Sequence, residues 1–481
     1  MKTSLKTKIK LIPLILSLFI FNKDTFATAP AAIYHDPAIF HEIAGHIPYI
    51  EKYSDKKKGQ SPHVDNKKEQ VCSIDILPYY QHASGAKNGS GSKVPCGDRN
   101  GRWNMIGLLQ GYQASPNHSL NDGSHPTMYD ALTNLVPPAT SKSFVEPTFT
   151  DTSGNLGYFS IPLQHEKFGI RGKLQIKFSK FAFTIRGGLT NYKQTPTFND
   201  MTFNVSADGS YSSYGYTYSD MMVTDTYLMV DSKRNQIMDE IGLNINKVNK
   251  TTLEDTHIEL SYYDAFGMDD ENGHSAVIVK PFLAIGMWLP SGSKKDQDMA
   301  FSIPTGNDGF MGYTAEGAIN FDFPETIMVS VGGGVTFFGH KTIGNYRMPS
   351  AGDTQISPNS TQLGIFPWKT TVRKRLGTAW KFNTGFSSHY FLDKLSMYFN
   401  YIYSRKEQDT IQLNESDATK AAAFRPVQAE KESEWTSQMI NFGMDYDITP
   451  ELAFGGAIQF PITGNRILRT LTLMGGFRFS F

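Results

Sequence analysis

The amino-acid sequence predicts an all-β chain: a transmembrane antiparallel up-and-down β-barrel of about 12 to 14 strands with long outer loops. Three observations point to it. Segments of about ten residues alternate apolar and polar side chains, the period of a strand with one apolar face. Short turns alternate with long connections along the chain. Beyond the N-terminal segment no run of 18 apolar residues occurs and the mean hydropathy is -0.34, so a membrane crossing falls to strands rather than helices.

The alternation is clearest in Phe168, Ile170, Leu174, Ile176 and Phe178, set against Arg171, Lys173, Gln175 and Lys177. It resumes after Lys180 with Phe181, Phe183 and Ile185 against Thr184 and Arg186. Tyr313, Ala315, Ile319, Phe321 and Phe323 alternate with Thr314, Glu316, Asn320 and Asp322, and Trp380, Phe382 and Phe386 flank Lys381. Ile440, Phe442, Met444 and Tyr446 alternate with Asn441, Gly443 and Asp445. Strands are expected near 155–163, 168–179, 181–190, 256–266, 275–289, 309–323, 326–338, 377–390, 394–404, 435–448, 451–460 and 467–481. A further hairpin from Ser73–Gln81 and Arg102–Tyr112 would raise twelve to fourteen. Gly332, Gly333 and Gly334 lie inside a strand and lack the Lys-Ser/Thr of a phosphate loop, so they read as a bend in the sheet.

The turns after Ser179, Phe323, Tyr390 and Ile448 are short, whereas 191–255, 339–367 and 405–434 are long. Short periplasmic turns and long outer loops are the rhythm of a membrane barrel, which a soluble sandwich does not need. Within 191–255, Ile237, Met238, Ile241, Leu243 and Ile245 suggest a short helix that either narrows the barrel or caps it from outside. Tyr211, Tyr214, Tyr216 and Tyr218 offer stacking surfaces for sugars, or are simply exposed.

Residues 1–27 read as a secretory signal peptide: Lys2, Lys6, Lys8 and Lys10, an apolar run from Leu11 to Phe21, then small residues to Ala27. Residues 28–71 form a polar, Lys-rich leader: a plug, a periplasmic extension or a flexible leader. Residues 72–154 hold the extra hairpin and a long connection, and 155–481 the barrel. Export permits Cys72 and Cys96 to pair as a disulfide or to remain two thiols. Lys+Arg and Asp+Glu are both 46, a balance that argues against nucleic acid as a partner.

The last strand alternates Leu471, Leu473, Gly475, Phe477, Phe479 and Phe481 with Thr472, Met474, Gly476, Arg478 and Ser480, and stops on an aromatic residue. Here the chain resembles bacterial outer-membrane β-barrel proteins, porin-like in outline, through the Gly-x-x-aromatic-x-aromatic pattern matched by Gly476, Phe479 and Phe481. Met474 departs from the polar residue usual at its place. The resemblance covers roughly residues 155–481 and singles out no one family. It implies the outer membrane as location, its lipid as surroundings and the barrel assembly machinery as reader of that terminal pattern.

The polar faces then line a lumen. Arg171, Lys173, Lys177 and Arg186 form a basic wall patch, with Glu316, Asp322, Lys381 and Asp445 facing inward elsewhere. Opposed patches across a narrow passage would set up a transverse field, whereas intermixed charges would merely compensate one another. Trp288, Trp380, Tyr401, Tyr403 and Phe481 are assigned to membrane interfaces.

Catalytic and metal signals are weak. His41 and His46 sit five apart, so on a helix their imidazoles diverge, unlike the i, i+4 pair of a zinc protease. Ser387 and His389 share a strand face but lack an evident acid. The expected function is diffusion of small hydrophilic solutes, with no catalysis, cofactor or metal. A surface barrel acting in adhesion through its loops is the other class, and homo-oligomerisation is left open.

Overall fold

The computed structural model describes residues 72–104, 108, 126–128, 158–200, 231–269, 275–323, 327–348, 368–392, 395–422, 424–449 and 451–481. The signal-peptide and leader readings, and the tyrosines between 211 and 218, lie outside these residues.

Twelve antiparallel strands close into a barrel. In chain order they are β1 Cys72–Lys87, β2 Leu163–Phe178, β3 Phe181–Pro196, β4 Thr256–Tyr263, β5 Ser275–Leu289 and β6 Gly312–Phe323, then β7 Ile327–Phe338, β8 Ala379–Leu392, β9 Leu395–Lys406, β10 Trp435–Asp447, β11 Leu452–Asn465 and β12 Ile467–Ser480. Each pairs with its sequence neighbour, and β12 returns to β1 from Ser73↔Ser480 to Lys87↔Ile467. Closure removes the unpaired edges that lipid cannot solvate. Strand β4 has only 8 residues against the 16 of β3, so the outer half of β3 pairs instead with Val248–Leu253.

The faces are inverted relative to a water-soluble protein. Phe168, Ile170, Leu283, Ile285 and Phe337 are more than half exposed on the outer surface, while Lys173, Arg186, Asn441 and Thr472 are buried inside. Because the side-chain period is two, a slip of one residue in any strand would turn this pattern inside out, which fixes the register. No helix among the described residues is long and apolar enough to cross a membrane.

The strand count is twelve, but not the twelve that alternation suggests. Residues 72–87 form a full barrel strand, whereas among the described residues of 155–163 Tyr158–Ser160 is a short strand pairing with Trp103–Asn104 outside the barrel, and Leu163 already begins β2. Among the described residues, Arg102–Tyr112 contributes no barrel strand. Closure decides this, since β12 needs a partner and Cys72–Lys87 has the length, with 16 residues against the 3 of Tyr158–Ser160. Gly332–Gly334 keep an unbroken register with both neighbouring strands, without a bulge. Gly334 lies between Glu316 of β6 and Lys381 of β8 and leaves room for their 3.4 Å ion pair to cross β7. Trp288 is also corrected: it points inward, buried against the His257 ring with centroids 4.2 Å apart, whereas Trp380 does face outward. On β5 the outward side belongs to the odd positions, and Trp288 falls on the even one.

Cys72 and Cys96 are free thiols. Cys72 starts β1 and Cys96 follows its far end, so a 16-residue strand, about 50 Å at 3.3 Å per residue, separates them. Burial pushes the Cys96 thiol up to about 12, while Cys72 is half-buried. Native protein should therefore react with one equivalent of maleimide, at Cys72, and unfolded protein with two; two rapid equivalents without denaturant would refute this placement.

The outer loops fold into a cap with its own apolar core. Ile237 and Met238 of helix α1 (Asp231–Glu240), with Leu243, Trp103, Phe159, Phe301 and Ile303, pack on the barrel-mouth residues Ala86, Leu163, Tyr192 and Leu468. Trp103 stacks on Phe301 with centroids 5.7 Å apart. Gly242, at φ +63°, ends the helix in a left-handed turn in which the Leu243 N–H donates to the Met238 carbonyl, and Arg347 donates to the carbonyls of Ile241 and Gly242. The helix thus belongs to the outer cap. A second cluster, Met348, Val372, Ile411 and Ala429, joins the strands His340–Arg347, Lys369–Arg375 and Thr410–Leu413 to helix α2 (Pro426–Ser433).

Beneath that cluster Asp409 accepts from the Gly377 N–H and bridges Lys374 at 3.0 Å and Lys406. Burial alone would raise this carboxyl, but Lys374 and Lys406 outweigh it and hold it well below its ordinary value. A depressed folded pKa means the stabilisation is complete above the ordinary 3.8 and is lost as pH falls through the lower folded value. Relative to an unstructured peptide in the same buffer, pepsin cleavage within 407–434 should rise steeply only below about pH 3, and for Asp409→Asn that ratio should stay flat with pH. Cleavage of the native chain that ignores pH across this range would contradict the cross-link.

Candidate functional site: the lumen and its constriction

Most inward positions are polar or small, with Trp288, Ile402, Met439 and Met474 among the buried apolar exceptions, and the two halves of the wall differ. Strands β9–β12 present Asn400, Ser404, Ser437, Asn441, Gln459, Thr470 and Thr472, all buried and uncharged. Strands β1–β8 carry most of the charge. Arg171, Lys173 and Arg186 are buried in the lumen, and Lys177 lies inward with its ammonium 5.9 Å from the Tyr263 ring centroid. Asp322 pairs with Lys280 at 2.9 Å and Glu316 with Lys381 at 3.4 Å. Asp445 lies on the inward face of β10, opposite Gly455 of β11.

The basic residues do not form an uncompensated patch. Lys173 bridges Asp75 at 3.4 Å, Arg186 bridges Glu259 at 3.2 Å, and Arg478 donates to Asp75 at 2.9 Å. Of the two expectations for the lumen charges, the contacts favour mutual compensation: Asp75, Glu259, Asp322 and Glu316 each lie within 3.4 Å of a base on another strand.

The densest contacts centre on Glu254, between Val248–Leu253 and β4. The Arg171 guanidinium donates to both carboxylate oxygens, from Nε to Oε2 at 2.7 Å and from Nη2 to Oε1 at 2.9 Å. Lys167 Nζ lies 2.9 Å from Oε1, and the Tyr79 hydroxyl donates to the same oxygen at 2.8 Å. Arg171 also stacks over the Tyr79 ring, 4.0 Å from its centroid. Burial raises the Glu254 carboxyl, but Arg171 and Lys167 more than reverse this and hold it far below the usual range. One loop carboxylate therefore ties β1 and β2 together at mid-barrel, where Arg171 has no solvent exposure. Gly188 makes this approach feasible: a Cβ there would stand 2.6 Å from Glu254 Oε2.

The next residue faces the other way. Asp255 accepts the Gly292 N–H at 2.8 Å and the Asn307 N–H at 2.6 Å, both from the outer loop between β5 and β6. Burial, only partly offset by these bonds, raises its carboxyl. Adjacent acids thus join the cap to the constriction. Sequence reading missed both, since they fall at the end of a long connection with no alternation to mark a face. The one available signal was two consecutive acids just before a strand.

Ser387 is buried on the lumen wall, and no group of three His, Cys, Asp or Glu side chains among the described residues is arranged to hold a metal. The terminal pattern spans both faces. Gly476 packs against the β1 backbone, Phe479 pairs with Ile74 of β1, and Phe481 is 68% exposed on the outside while its N–H donates to the Cys72 carbonyl.

No family model and no curated protein matches the chain. Among solved structures it is similar to an outer membrane channel from Pseudomonas putida F1, at 8% identity and a TM-score of 0.42, covering 89% of this chain and all of that one. It is also similar to the translocator domain of the autotransporter NalP from Neisseria meningitidis, at 9% identity and a TM-score of 0.32, covering 94% and 100%. A Pseudomonas aeruginosa FadL homologue matches at 9% identity and a TM-score of 0.27, covering 86% and 89%. The barrel itself rests on this chain's own strand pairing.

Proposed function

We propose that this chain is an outer-membrane, porin-like channel for diffusion of small hydrophilic solutes, narrowed at mid-barrel by Glu254. The observation that carries the reading is that every one of the twelve strands turns buried polar side chains to the inside while apolar side chains band the outside. A barrel serving only as an anchor has no need to bury Lys167, Lys173, Arg186, Glu259 and Lys280 in its interior, because each buried charge has to be matched by a partner. Arg171, Lys173, Lys177, Arg186, Glu316, Asp322, Lys381 and Asp445 are proposed as the charged, lumen-facing side of the wall that borders the pathway. Gly476, Phe479 and Phe481 are proposed as the assembly signal.

The structured cap favours a second reading, a surface barrel acting in adhesion or host contact, because the outer loops bury Trp103, Phe159 and Phe301 in a core of their own. Single-channel conductance of the refolded protein in a planar bilayer separates the two. Stable current steps, with a reversal potential under a salt gradient, support the channel; a folded, silent barrel supports the surface role.

A further inference from the structure

A small cavity lies on the lumen wall near the turn that joins β10 to β11, away from the Glu254 constriction. Its volume is about 40 Å³, and Asp75, Asp445, Tyr398 and Arg478 contribute its polar groups. A water needs roughly 10–15 Å³ of such space, so an ammonium head or a compact ion with one or two waters fits. The cavity exists because the facing strands supply backbone instead of side chains: Gly455 and Gly476 are cross-strand partners on β11 and β12. A Cβ at Gly455 would overlap the Asp445 carboxylate, and one at Gly476 would overlap the Ile76 carbonyl.

The charges around this cavity are unevenly satisfied. Asp75 holds both nearby bases, Arg478 at 2.9 Å and Lys173 at 3.4 Å. Asp445 Oδ2 is buried and meets no hydrogen-bond donor. Leaving a buried carboxylate oxygen unsatisfied is costly, more so than for a neutral acceptor. Asp445 and Tyr398 both line the cavity, so an occupant carrying positive charge and short N–H donors, or an ion that accepts oxygen ligands, would meet the Asp445 oxygen beside the Tyr398 ring. Arg478 also lines the cavity, but its guanidinium is already engaged by Asp75, so an anion would face the Asp445 oxygen and is disfavoured.

We propose that Asp445, with Tyr398 beside it, forms a binding subsite on the lumen wall for a compact monovalent cationic group of ammonium size. As a station in a solute pathway the subsite rests on the channel reading, but binding itself does not require conduction. The test is isothermal titration of the refolded full-length barrel in detergent with methylammonium chloride, with sodium chloride as a parallel titrant, and heat-modifiable gel mobility as the check of folding. The native chain should bind methylammonium saturably at one site, Asp445→Asn should weaken it at least tenfold, and Tyr398→Phe should weaken it a few-fold. Equal binding of sodium assigns the site to a free ion; preference for methylammonium assigns it to the amine end of a solute. No saturable binding by the native chain, or undiminished binding by both folded variants, would overturn the proposal. A silent barrel that binds methylammonium defeats the channel reading alone, and a conducting barrel that does not bind defeats this site alone.

Discussion

Replacing Glu254 with Ala should cost the barrel about 3–5 kcal/mol, the range for removing one partner of a buried ion pair. The change deprives Arg171 and Lys167, both buried, of the carboxylate that lies within 2.9 Å of each, and deprives the Tyr79 hydroxyl of an acceptor. Urea unfolding in detergent, followed by tryptophan fluorescence, reads the effect as a lower midpoint with an unchanged slope. Glu254→Gln keeps the shape and one acceptor oxygen, so it should lose less. If the Ala variant unfolds at the native midpoint, Glu254 does not hold the constriction. In a bilayer the same variant should also shift selectivity towards anions, because one negative charge leaves a wall that was compensated.

Substituting Leu283 by Arg should be comparably damaging for the opposite reason. Leu283 lies near the middle of β5, is 60% exposed on the outer face, and packs over Gly317 of the next strand. An arginine at the midplane of a barrel's lipid face costs about 2–4 kcal/mol, falling towards zero at the interfaces. Refolding into lipid vesicles, measured against denaturant, should show that loss, and Leu289→Arg at the outer end of β5 should show much less. Equal tolerance at both positions would mean that this face is not in contact with hydrocarbon. The pair of substitutions therefore tests the apolar band without assuming any transport.

The strands from β2 to β12 were legible because each has a strong one-sided pattern, and lipid demands that pattern locally. Strand β1 was harder. Its outward Ile74, Ile76 and Tyr80 do alternate with Asp75 and Gln81, but only pairing with β12 on one side and β2 on the other shows that it closes the barrel. Arg171, Glu316 and Asp445 could be put on a polar face from parity alone, yet parity does not say which acid a base will meet. The glycines illustrate the gap: Gly188, Gly334 and Gly455 look like weak points in strands, and each makes room for a long side chain from a neighbouring segment.

By itself, then, the sequence determined the barrel class, the approximate strand positions and which face of each strand is polar, since these follow from a period of two repeated along a single segment. Only the tertiary structure decided which strand completes the ring, that Cys72 and Cys96 stand a barrel's length apart, and that Glu254 and Asp255 link lumen to cap. Those contacts join residues distant along the chain, such as Tyr79 and Glu254, and their energies depend on distance and burial in three dimensions, which no local pattern encodes.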